Sequence, residues 1–136
     1  MRLSRTVAYA IQAVMELSQH NPSIAYPCSK LAQTTKMPER YLLQIMRQMT
    51  THGILYSTRG VDGGYTLMKK TSEISLLEII EAIDGPVILM MPIGDKISSR
   101  VSTKLGELMK KITDNLAKQL AAIKISELMG PTQKGR

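Results

Sequence analysis

Arg40, Gln44 and Arg47 stand four and three residues apart in "ERYLLQIMRQM". That spacing gathers them on one face of a helix. A glutamine amide can pair with two atoms on the edge of an adenine, and an arginine can take guanine or a backbone phosphate. Arg59 opens the stretch "RGVDGGYTL", beside Gly60, Gly63 and Gly64. An arginine on a glycine-rich turn suits a narrow minor groove, where the negative potential is enhanced. Each feature also has a plain reading. Gln44 can be an ordinary solvated residue, Arg59 can close a hairpin, and the glycines can serve only the turn. Leu43 can touch a thymine methyl group or simply pack. Tyr41 can offer its hydroxyl to a phosphate or bury its ring. Tyr65 is expected to anchor the base of the turn. Cys28, the one thiol, stands near Lys30 where a helix should begin, which lowers a thiol pKa and makes it a candidate redox group. Its other reading is a small buried hydrophobe.

Enzyme chemistry is not indicated. The glycines lack the "GKS" or "GKT" of a phosphate-binding loop, and no nucleophile, base and orienting acid are set out together. One cysteine permits no disulfide within the chain, and His20 and His52 show no ligand spacing with it. No metal or cofactor site is expected.

The chain has 136 residues, 43% of them hydrophobic, with no Trp or Phe and ten Met. That suffices for one domain with a core of aliphatic residues and methionine. The formal charge is +7, with nine Lys/Arg against seven Asp/Glu before residue 88 and nine against four after it. A basic balance suits an anionic partner, either nucleic acid or a membrane surface. The first residues mimic a signal peptide, but Gln12 and Glu16 interrupt the apolar run. No segment reaches about 18 uninterrupted apolar residues, so no membrane span and a cytoplasmic location are expected.

The elements that must hold the candidate residues follow from periodicity. Residues 4–19 read as a helix capped by Ser4, and 24–26 as a very short strand. A short helix covers 28–34. "TKMP" breaks the chain before a third helix at 38–51, which buries Leu42, Ile45, Met46 and Met49. Residues 54–58 and 65–69 read as hairpin strands, with Asp62-Gly63 as the turn pair and Gly64 at a second unusual backbone angle. A helix at 74–85 carries a capping box, Ser75 with Glu78, and packs through Leu76, Leu77, Ile80 and Ile83. Residues 87–94 read as a buried connection. A final long helix spans about 98–122, roughly 37 Å at 1.5 Å per residue, with Val101, Leu105, Leu108, Met109, Ile112, Leu116 and Leu120 at three- and four-residue spacing. Its basic face includes Lys104, Lys111 and Lys118. A short turn starts at Ser126, and the remaining residues form a loose tail.

The predicted class is mainly α: a winged helix-turn-helix with a small β-hairpin wing and a long C-terminal dimerisation helix. The expected division is a DNA-binding unit at 1–86, a connection at 87–97, a dimerisation region at 98–129 and a flexible tail at 130–136. The long helix is too long for so small a domain, so an identical stripe on a second copy is expected to cover Val101, Leu105, Leu108, Ile112, Leu116 and Leu120.

"LSRTVAYAIQAVMELS", "YLLQIMRQMTTHGIL", the pattern SxRGxxGGYxL from Ser57 to Leu67, and "ISLLEIIEAIDGP" together resemble the Rrf2 family of bacterial transcription regulators. The likeness covers almost the whole chain. It implies a homodimer that binds double-stranded DNA at a partly palindromic operator, with repression the usual outcome. It implies DNA contacts at Arg40, Tyr41, Leu43, Gln44, Arg47, Ser57, Arg59, Gly60, Gly63 and Gly64. Many relatives hold an iron–sulfur cluster through three cysteines after the segment ending at Pro86. Here that segment contains no cysteine or histidine, so no cluster is expected, and a regulatory protein, a small-molecule effector or thiol chemistry takes its place. Relatives often read "YLEQ" where this chain has "YLLQ". Leu43 cannot accept from cytosine as a carboxylate does, so the DNA sequence read is expected to differ. The other class of reading is an architectural or protein-interaction winged helix with little sequence preference.

Overall fold

The computed structural model describes residues 2–89 and 98–130. Helix α1 (Arg5–Leu17) begins where the Ser4 hydroxyl accepts from the Val7 N–H. It buries Val7, Ala10, Ala13, Val14 and Leu17, a stripe at helical spacing. Helix α2 (Cys28–Thr35) buries Leu31 and Ala32. Lys36 then closes α2 in the left-handed conformation, at φ 60°, and Met37 plugs the core from the turn. Pro38 caps α3 (Glu39–Thr51) from just outside its first turn. Leu42, Ile45, Met46 and Met49 are all buried, as the periodicity requires.

Gly53, at φ 76°, releases the chain from α3 into strand β1 (Leu55–Thr58). Strand β2 (Gly64–Leu67) returns antiparallel, with Leu55 opposite Leu67 and Ser57 opposite Tyr65. The expected strand at 24–26 is reduced to one bridge, in which Tyr26 and Tyr65 exchange both backbone hydrogen bonds at 2.9 Å. A single 3-10 turn at Thr71–Glu73 leads to α4 (Leu76–Asp84). Its capping box is present in full: Glu78 N–H donates to the Ser75 hydroxyl, and Ser75 N–H to the Glu78 carboxylate. Helix α4 lies against α1 and α3 and buries Ile79 and Ala82 more fully than the expected Leu77 and Ile83. Leu77 falls between Glu81 and Asp84 on the acidic side of the helix, and Ile83 lies in its last turn.

Ile88 and Leu89 are exposed, against the expectation of a buried connection, because nothing among the described residues covers them. The rest of that connection, residues 90–97, and residues 131–136 of the expected tail lie outside the described residues. Helix α5 (Ser99–Ala122), capped by Ser98, runs 24 residues without burying one. Among the described residues, its C-terminal end is the part that is tied down. Leu76 N–H donates to Ile123 O and Ile125 N–H to Ile74 O, both at 2.9 Å, which splices residues 123–125 onto the start of α4. Helix α6 (Ile125–Leu128) follows, with Ile125 completely buried.

Candidate nucleic-acid interface

The four buried residues of α3 fix which way its other side chains face. Arg40, Gln44, Arg47 and Thr51 recur at three- and four-residue spacing on the opposite side, and all four are exposed. The sequence reading omitted Thr51, although the same periodicity includes it. The backing of this face is rigid: Leu42 and Met46 are inaccessible and Ile45 nearly so. Helix α2 packs against α3 and completes the helix-turn-helix.

Two flanking candidates are drawn inward. Tyr41 shares a hydrogen bond with Thr6, and its ring meets Tyr9 edge-on at 5.6 Å between centroids. Its hydroxyl therefore already has one partner, and its ring is packed. Leu43 is half-buried against the core, which leaves only part of it to touch a methyl group.

Ser57, Arg59 and Gly60 are exposed along the wing, and Arg59 forms no ion pair among the described residues. Val61, at the tip, is fully exposed. The glycines have separate reasons. Gly60 takes φ 107° in open space, which is the turn itself. Gly64 takes φ 153°, and a Cβ there would stand 2.3 Å from the Tyr26 carbonyl oxygen. Gly63 does not take the positive φ expected of the Asp62-Gly63 pair. It is needed because a Cβ would stand 2.3 Å from the Thr58 carbonyl oxygen. Gly63 and Gly64 thus let the backbone fold onto itself and onto the segment before α2.

Tyr65 sits at the base of the wing, within electrostatic reach of Arg47 on α3. This tyrosine is buried, as expected of an anchor. Burial raises its pKa, as does the nearby Cys28 thiol, while the Arg47 guanidinium pulls it down. Cys28 opens α2 and is half-buried. Its pKa is raised, first by burial and then by the Glu39 carboxylate. Lys30 does not offset this, since its ammonium lies over the Tyr26 ring at 5.4 Å. Both effects favour the thiol over the thiolate, in the direction of the small-hydrophobe reading.

No group of three His, Cys, Asp or Glu side chains among the described residues is placed to share a metal ion. The sole thiol sits half-buried in α2, so the donor set does not fit a three-cysteine cluster site. Helix α5 presents Val101 at 54%, Leu108 at 46% and Ile112 at 58% exposure, with Leu105 beside them. Leu116 is half-buried, and Leu120 packs against the body. Lys104, Lys111 and Lys118 are exposed on the same helix. No helix among the described residues is long and apolar enough to cross a membrane.

Comparison with known proteins adds five findings. The family model for Rrf2, described as an iron-dependent transcriptional regulator, matches residues 3–131. A helix-turn-helix-type transcriptional regulator of Mycobacterium tuberculosis is 26% identical over 132 residues, covering 96% of this chain and 82% of that protein. The regulator IscR of Photorhabdus laumondii is 32% identical over 87 residues, 64% of this chain and 53% of that protein. Among solved structures, CymR, the global cysteine regulator of B. subtilis, superposes with a TM-score of 0.70 at 24% identity, covering 94% of this chain and 95% of that one. A transcriptional regulator from Listeria innocua gives 0.72 at 23%, covering 100% and 89%. These two show the shared fold.

Proposed function

The chain belongs to the Rrf2 family of winged helix-turn-helix transcriptional regulators, DNA-binding proteins rather than enzymes, and from that premise we propose that it acts as a homodimer on a partly palindromic operator and represses transcription there. The observation that carries this reading is the exposed Arg40–Gln44–Arg47 face of α3, backed by a fully buried stripe. A helix held that rigidly can enter a major groove with its side chains in fixed register. Gln44 pairs with an adenine edge, and Arg40 and Arg47 take phosphates or a guanine. Arg59 enters the adjacent minor groove, with Ser57, Gly60, Gly63 and Gly64 along the approach.

Residues 1–86 form the reading unit in this account, and residues 98–129 the dimerisation region. The exposed stripe of α5 supports a second copy as its cover. A two-fold dimer presents two α3 helices to half-sites about one helical turn, roughly 34 Å, apart, hence the palindrome. The net charge of +7 supports attraction to the phosphate backbone.

The test is selection of bound duplexes from a random pool with the full chain. A symmetric consensus, preferred over random duplex by about 10³-fold or more, is the expected outcome. Recovery of no consensus, with equal affinity for every duplex, would favour the architectural reading instead.

A further inference from the structure

One concavity is lined by no residue of α3. It encloses about 590 Å³ between the end of α1, the connection to α2, and strand β2 with the residues after it. That is the size of a site for a small organic molecule. Leu17, Ile24, Tyr26 and Leu67 give it an apolar lining, while His20 and Lys70 stand among its polar groups. No Asp or Glu lines it among the described residues. Its two lysines differ: Lys69 is paired with Glu78, whereas Lys70 has no ion-pair partner among the described residues. The His20 ring is held by Glu16 at 3.0 Å and lies on the Tyr26 ring, at 4.3 Å between centroids. One cationic end and an apolar body select a small organic anion, a carboxylate or sulfonate with a hydrophobic skeleton.

The walls of this cavity are also parts of the wing. Tyr65, Thr66 and Leu67 belong to β2, and Tyr26 is bonded to Tyr65 through both backbone groups. Gly64 stands so close to Tyr26 that no side chain fits between them. The segment before α2 and the wing are therefore joined backbone to backbone. We propose that this cavity is an effector site for a small apolar anion, and that its occupation resets the wing and so changes affinity for DNA. A ligand that favours one wing position shifts DNA affinity, and DNA shifts ligand affinity by the same factor. The regulatory half rests on the DNA-binding reading; the binding half does not.

The probe is anilinonaphthalene sulfonate, an anion with an apolar body whose fluorescence rises on binding. The full chain is titrated as wild type, Ile24→Glu, Lys70→Ala and Leu108→Glu, without DNA. Ile24 and Lys70 are exposed, so neither change threatens the core. Ile24→Glu is expected to weaken the probe about tenfold or more by placing a like charge in the cavity, and Lys70→Ala about threefold or more. Leu108→Glu, which spoils the α5 stripe, is expected to leave it unchanged. Saturating probe is then expected to change wild-type operator affinity by about fivefold or more and to leave Ile24→Glu, whose affinity without probe is that of wild type, unaffected. Binding that is equal in all four proteins, or lost only in Leu108→Glu, overturns the site. Binding that maps to the cavity without altering operator affinity overturns its regulatory role. A chain that prefers no operator but still loses the probe in Ile24→Glu overturns the DNA reading alone.

Discussion

Helices α3 and α5 are built to the same amphipathic rule and end in opposite states. Helix α3 buries Leu42, Ile45, Met46 and Met49 within its own chain and turns its polar face outward. Helix α5 carries Val101, Leu105, Leu108 and Ile112 at the same kind of spacing and leaves all four exposed. The difference is one of partners. Helix α3 has α1, α2, α4 and β1 around it. Helix α5 touches the body at its C-terminal end, where residues 123–125 are spliced onto residues 74–76. A finished helix is a rigid support for side chains that recognise something else. An unfinished one is itself a recognition surface, in this account for its own copy.

The largest effect expected concerns the unfinished helix. Replacing Leu108 and Ile112 together with glutamate should convert the dimer to monomer. Operator affinity should fall by about 100-fold or more, because two linked half-site contacts become one. Light scattering and operator titration on the same samples check this. A dimer that survives the double change would place the interface elsewhere and break the comparison.

The finished half is expected to fail differently. Gly64→Val forces a side chain against the Tyr26 carbonyl. A destabilisation of roughly 2–4 kcal/mol is expected, as for other strained backbone sites, read as a lower denaturant midpoint. The wing should lose its attachment while dimerisation persists.

Base readout should cost less. Gln44→Ala is expected to lose about 1–3 kcal/mol at the preferred site and to flatten preference at one symmetric pair of positions. Arg59→Ala should weaken specific and random duplexes together, lower the salt slope by about one and relax any preference for A·T-rich flanks. Competition across single-base variants at several salt concentrations separates the two.

How much of this was legible in the sequence depends on whether a feature is local. The stripe of α3, the Ser4 and Ser75 caps and the extent of α5 are set within a few residues, and periodicity or capping chemistry reveals them. Met37, Ile54 and Ile125 are core residues in turns or at element ends, where no period marks them. The reason for Gly64 lies in Tyr26, far off in sequence, and so could not be read from the turn alone. Cys28 is a similar case. Its own helix start argues for a low pKa, while burial and Glu39, on the next helix, push it up. Lys36 in the left-handed conformation gave no signal, since lysine is not the residue that position favours.

The smallest effect expected is the acid dependence of the α4 cap. Burial alone would raise the pKa of Glu78, but hydrogen bonds from Lys69 and from the Ser75 backbone outweigh it, and the value is lowered. A carboxylate with a lowered folded pKa contributes stability that is complete above its ordinary value near 4.5 and is lost as pH falls through the folded one. Glu78→Gln should therefore cost about 1 kcal/mol or less at neutral pH, the group being partly solvated, and progressively less in acid. Denaturant midpoints of both proteins from pH 7 down to pH 3 check the sign. A gap that widens in acid would contradict it.

The central claim is that a rigid α3 reads DNA through Gln44 as part of a two-fold dimer. The most direct measurement is a competition titration of wild type and Gln44→Ala against every single-base variant of the selected operator. The account predicts that Gln44→Ala loses discrimination at two positions related by the operator's two-fold axis and keeps it elsewhere. Equal weakening at every position, or lost discrimination in one half of the operator only, would contradict it.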